Sequence, residues 1–369
     1  MAWDEDQALT FYIGTYTNQP SPQGRTGEGI YRATLLPASG ALRVEGVAAQ
    51  MTNPTFLALR GDRIYAIGEV GEHDGEPGGV VAAFAVDPAT GDLSLINQQS
   101  SGGAGPAYVT TDATARTALV ANYVGGSVAS LPIGAEGALE PPSQVVAPPM
   151  PHEGPGPVTD RQDAPHAHSI IPDRNNRFAF AADLGADRIY QYTLDPVARR
   201  IGSEPVHAYD VFPGTGPRHL TFHPSGRWLY VIGELSSTLI VYSYEANNGL
   251  LREPIALPML PPGWDGQNTA SEVAVSPDGR FIYAGNRGYD SITAFRVSDD
   301  SGTVTLAGQY PTAGSFPRHF ALDPSGEWLV VANQNSDNLT TFRVDQESGA
   351  LEWTGQSLQV PVPVCVVFR

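Results

Sequence analysis

GPRHLTFHPSGRWLYVIGEL (216–235) reads as two strands and the turn between them. The first, GPRHLTF (216–222), opens at Pro217. HPSGR (223–227) supplies the Pro and Gly of a turn. RWLYVIG (227–233) is an apolar run of strand length. The unit then recurs: strands open at Pro54, Pro106, Pro165, Pro217, Ala270, Pro317 and Pro363, in steps of 52, 59, 52, 53, 47 and 46 residues. Second strands follow as RIYAIG, RTALVAN, RFAFAAD, RWLYVIG, RFIYAGN and EWLVVAN. Alternating third strands include VVAAFAVD, RIYQYTLD, STLIVYSY and SITAFRV, and TVTLAGQY stands for the polar fourth. Period-2 runs rich in Val, Ile, Tyr and Phe between Gly, Pro, Asp and Asn are strand and hairpin signals. No stretch has a long helical period.

A period near fifty residues means a solenoid, a propeller or an array. Four strands per repeat indicate a propeller blade. The expected fold is therefore all-β: a seven-bladed β-propeller with four antiparallel strands per blade. The final VPVCVVFR (362–369) is an opening strand with nothing after it, and LTFYIGTYT (9–17) is a second strand followed by a third (GIYRATL) and a fourth (LRVEGVAA). The last blade should close by pairing them, which removes open edges. One domain, 1–369, is expected. The longest irregular stretch, 141–164, falls between blades 2 and 3, and long ordered loops in compact domains are usually functional.

The formal charge of −18 argues against nucleic acid or an anionic membrane as partner. No apolar run has the length of a membrane span. The acidic start, MAWDEDQ, does not read as a secretory leader, so a cytoplasmic protein is expected, a monomer or weak homo-oligomer. Cys365 is the only cysteine, which excludes an internal disulfide. All 21 basic residues are arginine. Without lysine there is no Schiff base, no lysine general base and no P-loop. Arginine stays charged and holds carboxylate or phosphate with a planar fork.

In a propeller the first strand lines the channel, and it starts where the second strand ends. Residues after each opening and at each second-strand end should converge on one mouth. The first of these columns is Thr55, Ala107, His166, Arg218, Ser271, Arg318 and Val364. The next is Phe56, Tyr108, Ala167, His219, Glu272, His319 and Cys365. Second strands end at Gly14, Gly68, Asn122, Asp183, Gly233, Asn286 and Asn333, followed by Thr15, Glu69, Tyr123, Leu184, Glu234, Arg287 and Gln334. A purely structural column would repeat in every blade, and these do not. Blades 3 to 6 bring His166, His168, Arg218, Glu234, Glu272, Arg287 and Arg318 toward one opening. Buried charge is costly unless solvated or paired, and clustered arginines in an acidic protein make a positive funnel for an anionic substrate. The alternative is that these polar residues tie neighbouring blades together. The repeated PRH favours that for His219 and His319, and turn chemistry favours it for Asn122 and Asn286. His166 and His168 alone are too few for zinc, and no metal or organic cofactor is expected. Asn122, Asp183 and Glu234 offer oxygens to calcium as the alternative.

RQDAPHAHS, DLGADRIYQY, GPRHLTFHPSGRWLYVIGEL, SEVAVSPDGRFIYAGNRG and FPRHFALDPSGEWLVVANQ together resemble the seven-bladed propeller lactonase family over nearly the whole chain. That family includes the propeller type of 6-phosphogluconolactonase and the fungal carboxymuconate cyclase. The resemblance implies an active site of His168 or His166, Arg218, Glu234 and Arg287. His166, Arg318, Asn122 and Glu272 would bind substrate. Relatives often have Asn where this chain has Gly233. The implied reaction is hydrolysis of a small anionic lactone, 6-phosphogluconolactone first. Glu234 or a neutral histidine would be the base, and arginine would stabilise the oxyanion. Lactone formation from carboxymuconate is the alternative, and a non-enzymatic propeller binding a protein partner is a second.

Overall fold

The computed structural model describes residues 8–73, 75–148, 156–298 and 301–369. The acidic MAWDEDQ and residues 149–155 of the long connection lie outside the described residues. Seven separate antiparallel sheets account for the repeats, and strands that follow one another in sequence are neighbours in each sheet. This is a seven-bladed β-propeller. Blade 4 shows the pattern: Pro217–Phe222, Trp228–Gly233, Thr238–Glu245 and Leu250–Pro258. Blade 7 takes Pro363–Phe368 from the C-terminus and Leu9–Thr15, Ile30–Leu36 and Ala41–Ala49 from the N-terminus. Phe11 faces Phe368, Ile13 faces Val366 and Gly14 faces Cys365 across that junction.

The chain forms two compact units, one built from residues up to 55, 87–93 and 259–369, the other from 56–86 and 94–258. In the second unit, apolar residues of blades 3 and 4 share a core of Phe180, Ile189, Leu220, Leu229, Val231, Ile240 and Tyr242. In the first, blades 6 and 7 share Phe11, Ile13, Tyr31, Trp328, Val330, Leu339 and Val366. Trp228–Gly233 and Trp328–Asn333 are buried at every residue. Sheets packed on both faces demand such continuous apolar runs, whereas Leu351–Gln359, a fourth strand, is mostly exposed.

The turn after each first strand has a repeated construction. Asp173 Oδ1 accepts from the backbone N–H of Arg177 and Phe178, and Asp112 Oδ1 from those of Arg116 and Thr117. Such Asx turns fix the hairpin without help from the sheet. The left-handed residue is glycine at Gly226, Gly279 and Gly326, but Asn176 in blade 3. Two details depart from the simple repeat. The fourth strand of blade 3 is split into Arg200–Ile201 and His207–Asp210, both paired with Arg188–Asp195. A small hairpin, Glu72–His73 with Glu76–Pro77, interrupts blade 1.

Candidate active site

The opening strands of six blades carry a register shift near their start. In blade 4, Pro217 faces Gly233 while Leu220 faces Val231, so one extra residue is inserted. In blade 3 the shift falls between Ala167 and Ser169. A bulge bends the strand and re-aims the side chains beside it. Arg218 and His168 sit at these bulges.

In blade 4, first-strand start and second-strand end meet as expected. Arg218 Nε lies 3.1 Å from Glu234 Oε2. A second guanidinium closes the other side of the carboxylate, with Arg161 Nη2 2.6 Å from Glu234 Oε1. His168 Nε2 approaches Glu234 Oε2 to 3.9 Å, short of a direct hydrogen bond. Glu234 and Arg218 are each 3 % exposed and His168 is buried. Glu234 thus lies between two guanidiniums.

Surrounding groups hold this cluster in place. Ser169 Oγ donates to the carbonyl of Arg218, fixing its backbone. Arg218 Nη1 lies 3.2 Å from His219 Nε2. A guanidinium only donates, so His219 Nε2 accepts and that ring is neutral. The ring of His168 meets those of His219 and Tyr123 edge-on. Arg161 Nη2 also donates to the Tyr123 hydroxyl. Burial alone would lower the pKa of Arg161, but the charge of Glu234 and the hydrogen bonds to Tyr123 and Glu234 outweigh it, and the net shift is upward. Burial raises the Tyr123 phenol, and the hydrogen bond from Arg161 partly opposes this.

Arg161 was not among the candidates read from the sequence. It lies in the connection between blades 2 and 3, where the repeat offers no equivalent position. The available signal was an arginine five residues before His166 in a long ordered loop. Gln162, fully buried, clamps this loop: its Nε2 donates to Leu184 O and its Oε1 accepts from Val158 N.

Other expected residues take different places. His166 Nδ1 contacts the carbonyl of Tyr123 and Nε2 contacts Asp163 Oδ1, each at 3.0 Å, while its ring stacks on Tyr123. Both ring nitrogens are engaged, so of the two histidines His168 is the one directed at Glu234. Asn122 is wholly buried, and its amide donates to Ser101 O and Ser127 Oγ. The surroundings of Gly233 leave no room for the side chain of an Asn: a Cβ there would fall 2.5 Å from Ser236 Oγ and 2.9 Å from Thr238 Oγ1. Those hydroxyls bond each other at 2.7 Å.

Arg287, Arg318 and Glu272 belong to the other compact unit. Arg287 Nη2 donates to Ala270 O at 2.7 Å, and its guanidinium lies over the Phe316 ring. Arg318 donates to the Tyr16 hydroxyl and covers that ring. Glu272 Oε2 lies 3.0 Å from His319 Nε2, while His319 Nδ1 accepts from Val366 N. His319 is thus an Nε2–H tautomer tying blades 5, 6 and 7, with Glu272 as its acceptor. Among the described residues no group of three or more His, Cys, Asp or Glu is arranged to hold a metal ion. No helix is long and apolar enough to cross a membrane.

Seven four-stranded blades with this arginine, glutamate and histidine cluster define a class. Residues 10–368 match the family model described as lactonase, 7-bladed beta-propeller, and the chain belongs to that family. It is 36 % identical to a 6-phosphogluconolactonase of Bacillus subtilis over 97 % of both chains. A 6-phosphogluconolactonase of Formosa agariphila is 34 % identical over 84 % of this chain and 85 % of its own. Among solved structures, a putative 6-phosphogluconolactonase from Bacteroides fragilis superposes with TM-score 0.87 at 32 % identity over 100 % of both chains. A periplasmic gluconolactonase from Pseudomonas aeruginosa gives TM-score 0.87 at 33 % identity over 98 % of this chain and 99 % of that one.

Proposed function

We propose that this protein is a lactonase that hydrolyses 6-phosphogluconolactone to 6-phosphogluconate. The observation that carries the reading is the buried Arg218–Glu234 pair with His168 beside it, in a chain 36 % identical to a 6-phosphogluconolactonase. Opening a lactone requires a base for water and a cation for the oxyanion. Glu234 is already paired with two arginines, which makes it a poor proton acceptor. His168 is the better base. It takes a proton as water oxygen bonds to the carbonyl carbon, and Glu234 balances the imidazolium charge. Arg218 stabilises the tetrahedral oxyanion. The ring C–O bond then breaks, and the proton on His168 passes to the leaving alkoxide. No cofactor enters this sequence.

Arg287 and Arg318, already held by Ala270 O and the Tyr16 hydroxyl, receive no catalytic step. We place the protein in the cytoplasm as a single domain, because a phosphorylated sugar does not diffuse across a membrane. The test is proton release by purified protein on freshly made 6-phosphogluconolactone, with carboxymuconate in parallel. Lactone opening well above the spontaneous rate is expected. Closure of carboxymuconate without lactone hydrolysis would transfer the same residues to the cyclase reaction.

A further inference from the structure

Two kinds of lactone fit a site of this type, a phosphorylated and an uncharged one, and the residues so far assigned act only on the ring carbonyl they share. Glu234 is nevertheless met by two guanidiniums. Arg218 reaches it from the blade and is almost fully buried. Arg161 reaches it from a loop, with its side chain 35 % exposed. Arg161 bonds through Nη2, to Glu234 Oε1 and the Tyr123 hydroxyl. Among the described residues that leaves Nε and Nη1 for a further acceptor. The clamp by Gln162 holds the loop, so the guanidinium is placed before a ligand arrives.

We infer that Arg161 is the specificity-determining residue that reads the phosphate of the substrate. Glu234 and Tyr123 orient its guanidinium through Nη2, and the remaining N–H groups donate to a phosphate oxygen. The lactone ring is neutral, so phosphate is the substrate's only anion and the group that a part-exposed guanidinium with N–H groups to spare selects. The inference rests on the lactonase reading for its choice of ligand, but its test does not require turnover.

Calorimetric titration with 6-phosphogluconate and with gluconate compares two ligands that differ only in the phosphate. Wild type should bind 6-phosphogluconate roughly tenfold to a hundredfold tighter, the scale of a charge-assisted hydrogen bond. Arg161→Gln should collapse that ratio to within about twofold, and Arg161→Lys should keep part of it. Measurable gluconate binding by each variant certifies the fold. Equal weakening of both ligands, with the ratio intact, would overturn the inference and leave Arg161 as a support for Glu234. A wild type without preference would also overturn it. Failure of wild type to hydrolyse either lactone removes the proposed reaction alone, because the binding ratio still decides the role of Arg161.

Discussion

Arg218 and Glu234 meet at 3.1 Å where the first strand of blade 4 begins and the second ends, both nearly out of contact with solvent. A pair so buried has two consequences at once. It concentrates charge where a reaction can use it, and it makes each partner depend on the other for its place in the fold.

Arg218→Ala should therefore lower both turnover and stability. Loss of the oxyanion partner should cost about a hundredfold in kcat. The stability loss should stay below the roughly 3–5 kcal/mol of an orphaned buried charge, because Arg161 still contacts Glu234. Arg218→Lys should recover stability better than rate, since the ammonium lacks the fork. Steady-state kinetics and urea denaturation measure the two. Full turnover in a destabilised Arg218→Ala protein would make the pair a tie within the blade.

Glu234→Gln keeps the shape of the side chain and removes its charge. An imidazolium at His168 would then lose the anion that lies 3.9 Å from its Nε2, while Arg218 and Arg161 remain. The pKa of His168 in the variant should fall relative to wild type, so the acid limb of the kcat profile should move to lower pH while its plateau drops. A plateau drop with no displacement of the limb would exclude His168 as the group that titrates.

Asp183 gives a pH dependence of a different kind. Burial pushes its carboxyl up to about 6, although backbone N–H groups of His166 and Ala186 favour the ionised form. The folded protein thus keeps this proton up to about pH 6, while the unfolded chain releases it near pH 4. Across that window the native state binds more protons, so this group makes stability fall as pH rises, by roughly 2–3 kcal/mol in all. Asp183→Asn, which installs the residue found in the same column of blades 2, 5 and 6, should flatten that slope. Denaturation midpoints from pH 4 to 7 for the two proteins provide the comparison; parallel curves would contradict it.

Gly233→Ala should destabilise the protein by about 1–3 kcal/mol, because its methyl would displace the Ser236–Thr238 hydroxyl pair. Pairing it with Ser236→Ala should recover part of the loss, as thermal melts of the single and double variants would reveal.

Legibility followed the repeat. Blade number, strand order and the junction of Leu9–Thr15 with Pro363–Phe368 were readable because each rests on a pattern seen several times. The Arg218–Glu234 contact was readable for the same reason, since aligned repeats place strand starts against strand ends. Arg161 was not, because a loop inserted between blades has no counterpart to align with. Nor did alignment show the partners of Asn122: Ser101 and Ser127 are set by packing across strands, which column position does not encode. The split fourth strand of blade 3 escaped because an exposed edge has little apolar pattern to mark it.

The junction in blade 7 also orders events during synthesis. Blades 1 to 4 each consist of one continuous stretch and can form their sheets as soon as they are made. Pro363–Phe368 is made long after Leu9–Thr15, the strand it pairs with. At about 5–20 residues per second, that strand waits roughly 20–70 s with an unpaired edge. Until Pro363–Phe368 is made, the growing chain is exposed to wrong strand pairing along Leu9–Thr15. A message stalled before that point would release a polypeptide whose Leu9–Thr15 strand has nothing to complete its sheet.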